Sequence, residues 1–302
     1  NRQAVDFFAG ILHQLGCQLD LTPFHSLDYR VGGVRLSAAG VDFPVFVSPY
    51  SLPCRLDAPL VSASTRSELE ELDCTSRVLL LHSDLCAEQL MPKNFVFYNP
   101  DHHRELIALL ERKAPAAIIT ATGANPELVG ALNPFPLFVD GDFDIPSVYC
   151  TRETGAQILE MPVGEVRLEI DAERIPSTAS NALARLHPQA QHKVVITAHI
   201  DAYEDTPGAQ DNASGTVVLL LLAELLAGYP GPLGVEILAF NGEDHYSAGG
   251  QMDYIHRHGS SFPSVQLVVN LDDLGFRGAS SAFSFYGCPP DLEGKSRQVF
   301  TR

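Results

Sequence analysis

His199, Asp201, Asp211, Glu243, Asp244 and Asp272 are the residues whose types and spacing carry chemistry. Imidazole and carboxylate side chains gathered in one crevice suit zinc, and cobalt or manganese accept the same donors. The candidate ligands are His199, Asp211, Asp244 and Asp272. In a hydrolytic two-metal centre the ions lie roughly 3.5–4 Å apart, and a shared carboxylate can bridge them. Such a pair takes about five protein ligands if each ion keeps room for water, so these candidates leave the set short. Asp201 lies two residues past His199, placed to accept the second imidazole N–H and fix the tautomer. Glu243 adjoins a candidate ligand and is placed to move a proton between water and a leaving group.

Taken singly, each signal is weak. His-x-Asp is commonly a turn, Asp211-Asn212 and Asp272-Asp273 read as ordinary caps, and Gly242-Glu243-Asp244 reads as a solvated loop. Their weight comes from the elements they follow. Val194–Ala198 is an apolar strand that runs into His199. Val235–Phe240 runs into Asn241-Gly242-Glu243-Asp244, and Val265–Leu271 runs into Asp272. A strongly apolar helix over Ser214–Leu226 follows Asp211, Ala248–His256 supplies another helix, and Ala282–Tyr286 reads as a further strand. This alternation predicts a parallel sheet wrapped by helices, in which ligands bind at the carboxyl ends of the strands.

Upstream, Val5–Leu15 has helical spacing, and Tyr29–Pro59, rich in Gly, Pro, Val and Phe, reads as short strands and turns. Arg77–Leu81, Ala116–Thr120 and Ile145–Tyr149 read as strands, with helices over His103–Lys113 and Ala156–Glu160. They form a compact module of their own. Val166–Ile170 and Asn181–Leu186 are two more expected strands.

Composition narrows the function classes. The chain has 302 residues and a net charge of −17. That field repels phosphate backbones, so nucleic acid is excluded as a partner, whereas metal ions and free amines suit it. The longest apolar run, Val217–Ala223, is far short of the roughly 18 residues that span a bilayer. Cys17, Cys54, Cys74, Cys86, Cys150 and Cys288 form no C-x-x-C pair and are expected to be free or buried thiols. The chain opens at Asn1 with no leader pattern visible, and the expected compartment is the cytoplasm.

Two stretches are similar to one family. Val194-Val195-Ile196-Thr197-Ala198-His199-Ile200-Asp201 and Pro207-Gly208-Ala209-Gln210-Asp211-Asn212-Ala213-Ser214-Gly215 resemble the di-zinc aminopeptidases. That group includes bacterial leucyl aminopeptidases, glutamate carboxypeptidase and, as inactive relatives, transferrin receptors. Phe240-Asn241-Gly242-Glu243-Asp244 and Asn270-Leu271-Asp272 look like the same family in the same order, and Ser177–Ala184 is similar to the strand that opens its catalytic core. The resemblance implies an α/β fold: a mixed, mainly parallel sheet flanked by helices, the di-zinc exopeptidase fold, with a smaller inserted α/β domain of protease-associated type. It implies residues 1–30 and 163–302 for the peptidase domain and 31–162 for the insertion, expected to cover the mouth of the active site.

It also implies roles. His199 and Asp272 would hold one zinc, Asp211 would bridge, and Asp244 would hold the second zinc where many relatives carry Glu. Glu243 would be the general base and acid, and Asp201 would orient His199. The bond from Asp211 to Asn212 would be cis, and a peptide would be the substrate. The family completes the second zinc with a His well downstream of Asp272, whereas the last histidines here are His256 and His258, expected at the surface of a helix. The catalytic core is therefore expected to be C-terminally incomplete. A zinc aminopeptidase is the leading expectation. A carboxypeptidase or glutaminyl-cyclase-like enzyme and an inactive, transferrin-receptor-like binding module are the alternatives.

Overall fold

The computed structural model describes residues 1–123, 134–162, 164–203, 206–278, 280 and 282–300. Val163, where the second peptidase segment is expected to start, lies outside them. In chain order the elements are α1 (Arg2–Gln14), β1 (Gln18–Asp20), β2 (Pro23–Ala38), β3 (Val41–Phe43), β4 (Phe46–Val47), β5 (Cys54–Ala63), α2 (Arg66–Glu71), β6 (Val78–Leu81), α3 (Asp101–Lys113) and β7 (Ala117–Thr122). They continue with β8 (Ser147–Thr151), α4 (Arg152–Glu160), β9 (Glu165–Ser180), β10 (Ala182–Leu186), β11 (Lys193–His199), α5 (Gly215–Leu226), β12 (Gly234–Phe240), α6 (Gly249–His258), β13 (Val265–Asn270) and α7 (Pro290–Phe300).

The five-stranded sheet runs β1-β10-β12-β11-β13. Its β12, β11 and β13 are parallel, while β10 and β1 join antiparallel. Alternation sorts the side chains. Ile196 and Ile237 face α1 and α5, meeting Val5, Phe8, Leu12, Leu219 and Ala223. Val195 and Leu238 face α6 through Tyr254. Each such fully buried side chain contributes about 1.5–3 kcal/mol of apolar burial. Both faces are therefore covered, which is why β11 and β12 read as almost unbroken apolar runs. The exception, Glu236 on β12, is buried but matched: Tyr254 Oη donates to it at 2.6 Å and Lys193 Nζ at 2.9 Å.

The second sheet runs β3-β2-β9-β5-β6-β7-β8-β4. Its β5 through β8 are parallel. Leu79, Leu81 and Ile118 pack on α3 through Leu106, Ile107 and Leu110. Val78, Leu80 and Ile119 pack with Ile158 of α4 and with Leu168 and Ile170 of β9. This α/β sheet takes in, besides strands from residues 31–162, the start of β2 and the whole of β9 from outside that range.

Tyr29–Pro59 holds the short strands β3 and β4 as expected, but it also holds much of one 16-residue strand, β2, paired along its length with the 16-residue β9. The Gly32-Gly33 pair is absorbed within the strand as a register shift between Val31 and Gly33, beside the expected domain boundary at residue 31. Val166–Ile170 is likewise only the first part of β9. Ala282–Tyr286, expected as a strand, is irregular. Phe283 packs on Phe285 at 5.8 Å, and Arg297 lies over the Phe285 ring, so these side chains meet each other and α7 rather than a sheet.

Candidate metal centre

Three parallel strands end together, and the chain turns at each end. His199 is the last residue of β11, with its side chain 2% exposed. Thr216 Oγ1 on α5 donates to its carbonyl oxygen at 2.9 Å. Asp211 lies in the turn before α5, where the Asp211–Asn212 peptide bond is cis, as the resemblance implied. Asn212 ties that turn to the end of β13: its side chain donates to Leu271 O at 2.9 Å and accepts from Gly215 N–H at 3.0 Å. The approach is so close that a Cβ on Gly215 would lie 2.5 Å from Leu271 O. Asp272 follows directly.

The carboxylates converge on the imidazole. Asp211 Oδ1 lies 2.8 Å and Asp272 Oδ1 3.4 Å from His199 Nε2. Donor atoms of His199, Asp211 and Asp244 all lie within 4.8 Å of one another. Asp244 Oδ2 is buried with no hydrogen-bond partner. A buried carboxylate oxygen left without a donor costs free energy unless a cation or a proton satisfies it. The donor set, one imidazole with clustered carboxylates, fits zinc.

Asp201 differs from expectation in one respect. The nearest acceptor for His199 Nδ1 is the Asp201 backbone carbonyl at 3.0 Å, and the carboxylate is at 3.7 Å. That carboxylate instead accepts from the backbone N–H groups of Glu243 and Asp244, both at 3.1 Å. Asp201 thus orients His199 through its main chain and holds the Glu243–Asp244 turn through its side chain.

The charges are mutually perturbed. Burial opposes protonation of His199, but Asp201 and Asp272 outweigh it and raise the imidazole to about 11. A cation entering here displaces that proton. Desolvation among the neighbouring Asp244, Asp272 and Asp201 carboxylates, which raise it further, pushes the Glu243 carboxyl up to about 7, although part of the residue is open to solvent. Burial first, then the negative Asp211, pushes Asp244 up to about 6. Asp201 goes the other way: burial is outweighed by His199 and by the turn's N–H groups.

Some contributors escaped the sequence reading. Asn241, 3% exposed, is held by Asn181: its N–H donates to Asn181 Oδ1 at 3.0 Å, and Asn181 Nδ2 donates to Gly250 O at 2.9 Å. A polar residue closing an apolar strand was the available signal. His245, next to Asp244, bonds Leu27 O through Nε2 at 2.9 Å. Of the two helix histidines, His256 is exposed as expected. His258 is half-buried, its ring 4.9 Å from Tyr254, because α6 packs that face on the sheet.

A crevice of about 1030 Å³ opens beside the site, lined among others by Tyr29, Tyr50, Tyr203, Asp201 and Asp244. Glu88, His102 and His103 make a second donor cluster. There His103 Nδ1 accepts Met91 N–H at 3.1 Å, which leaves the proton on Nε2, facing Glu88 Oε1 at 3.3 Å. That tautomer makes an imidazole–carboxylate contact rather than a metal ligand. Among the described residues no helix is long and apolar enough to cross a membrane, and the six cysteines are free.

The neighbours in sequence and fold agree with the geometry. Residues 181–300 match the family model of Peptidase family M28. The chain is 23% identical over 283 residues to the "Probable lipoprotein aminopeptidase LpqL" of Mycobacterium tuberculosis, covering 90% of this chain and 53% of that one. It is 28% identical over 159 residues to "Aminopeptidase YwaD" of Bacillus subtilis, covering 52% of this chain and 34% of that one. The chain thus spans about half or less of these curated relatives. In fold it is similar to an aminopeptidase from Aneurinibacillus sp. strain AM-1, with a TM-score of 0.70 at 19% identity, over 92% of this chain and 66% of that one. It is also similar to BSAP, a zinc aminopeptidase from Bacillus subtilis, with a TM-score of 0.64 at 22% identity, over 91% and 63%. At these identities the likeness to solved structures is one of fold. The stretch that carries His199, Asp211, Glu243, Asp244 and Asp272 is also the stretch, residues 181–300, that matches the model of Peptidase family M28.

Proposed function

We propose that this chain carries the metal-binding part of a zinc exopeptidase, an aminopeptidase that hydrolyses N-terminal peptide bonds. The observation that carries the reading is the meeting of His199, Asp211 and Asp244 donors around a buried, unpartnered Asp244 Oδ2. His199 and Asp272 would hold one zinc, Asp211 would lie between two, and Asp244 would face the second; cobalt or manganese fit the same donors. Bound zinc supplies a Lewis acid for the scissile carbonyl and eases deprotonation of water.

The chain's own residues do the rest. Glu243, next to Asp244, takes a proton from the attacking water as the C–O bond forms. It returns that proton to the departing nitrogen as the C–N bond breaks. A carboxyl raised to about 7 suits both halves of that task near neutral pH. Asp201 keeps the Glu243–Asp244 turn in place. The choice of aminopeptidase over carboxypeptidase rests on the names of the similar proteins, and the middle module is read as a protease-associated insertion lining the crevice. The test is Glu243→Gln, assayed on aminoacyl amide substrates with zinc binding followed in parallel. Turnover should fall about 10²–10⁴-fold while zinc binding is retained. Undiminished turnover would sink the assignment of the base.

A further inference from the structure

The turn that presents Glu243 and Asp244 does not stand on the five-stranded sheet alone. The next two residues, His245 and Tyr246, reach the inserted module. The Tyr50 ring lies 5.2 Å from His245, edge-on, and 4.8 Å from Tyr246, while His245 and Tyr246 are themselves 4.5 Å apart. Tyr29, on β2, adds a ring 5.5 Å from Tyr50.

Tyr246 also meets the turn at Gly141. A Cβ at Gly141 would lie 2.4 Å from Tyr246 Cζ, so the ring is seated against a position with room for no side chain. Arg174, on β9, fastens both halves of this seat. Its Nε donates to Tyr50 O, its Nη1 to Asp144 Oδ1 and its Nη2 to Phe143 O, each at 2.6 Å. The Tyr50 loop and the Gly141 turn are thereby fixed to one guanidinium on the ribbon that joins the two sheets.

We propose that Tyr50 and Gly141 of the inserted module are positioning residues: they grip Tyr246 and His245, and so hold the Glu243–Asp244 turn where Asp244 faces His199 and Asp211. The insertion then acts on the site through a fixed packing contact, besides walling the crevice. This rests on reading His199, Asp211 and Asp244 as the metal ligands. Removing the grip leaves Asp201's carboxylate and the His245 Nε2–Leu27 O bond as tethers of the turn. Supports of metal ligands typically change affinity 10–100-fold.

The test uses the full chain without substrate, so a peptide touching Tyr50 in the crevice cannot enter the result. Amide hydrogen exchange at Glu243 and Asp244 and calorimetric zinc titration are measured for the parent, Tyr50→Ala, Tyr50→Phe and Gly141→Ala. In Tyr50→Ala, exchange in the 242–247 turn should speed up while β6, β7 and β11 stay protected. Zinc should bind about 10–100-fold more weakly. Tyr50→Phe, which keeps the ring, should restore both. Gly141→Ala pushes on Tyr246 directly and should weaken zinc binding in the same sense. It stands as the independent probe if Tyr50→Ala fails to fold. A parent that binds zinc, with Tyr50→Ala or Gly141→Ala binding equally well, would overturn the positioning role alone. A parent that binds no zinc would overturn the metal-site reading and this inference with it.

Discussion

Glu243 and Asp244 are adjacent carboxyls, and both are raised, Glu243 to about 7 and Asp244 to about 6. In the metal-free chain this sets a pH dependence of known sign. The folded state holds the Glu243 proton more tightly than an ordinary carboxyl at 4.5. The resulting stabilisation is fully present below about 4.5 and is lost as pH rises through about 7. Gln at this position has no such proton. The stability of the parent minus that of Glu243→Gln should therefore fall between pH 4.5 and 7 and level off above. Urea titrations of both proteins across that window check it. A difference that rises with pH would mean that the carboxyl is not raised in the fold. The residue types and their order were legible in the sequence, because His, Asp and Glu after apolar strands are a local signal. The division of labour within Asp201 was not. Two residues past a ligand, either its carbonyl or its carboxylate could have met the imidazole, and the carboxylate went to the Glu243 and Asp244 N–H groups across the turn.

At the scale of elements, the site depends on strand ends meeting helix starts at close range. Gly215 opens α5 where Asn212 and Leu271 crowd it, so Gly215→Ala should destabilise the chain by about 2 kcal/mol, from overpacking against a backbone oxygen. Gly228→Ala, where a Cβ would meet nothing within 4 Å, should leave stability unchanged or raised by less than about 1 kcal/mol. Denaturant midpoints of the two variants compare them directly. Equal midpoints would contradict the close approach between the α5 turn and the end of β13. Element types were legible wherever periodicity was strong, as in α1, α3, β11 and β12. They failed at Ala282–Tyr286, where an alternating apolar run found Arg297 and a neighbouring ring instead of a strand. They were cut short at Tyr29–Pro59, where Gly32 and Gly33 lie within a continuous strand.

For the whole molecule, the governing feature is the β2–β9 ribbon. It pairs residues about 140 positions apart, and its strands run on into the five-stranded sheet at one end and pair with β3 and β5 of the eight-stranded sheet. No local pattern announces a pairing of that range, so the sequence suggested two units but not how they touch. The contact matters because it brings Tyr50 and the Gly141 turn against Tyr246, beside a crevice in a chain whose net charge of −17 favours cations. The central claim, a metal centre built on His199 and Asp211, is tested most directly by metal content. The chain is stripped of metal, equilibrated with zinc, freed of excess and measured by elemental analysis beside the doubly substituted His199→Ala, Asp211→Ala protein. The parent should retain at least about one zinc per chain and the variant essentially none. A parent that retains no more zinc than the variant would contradict the metal centre.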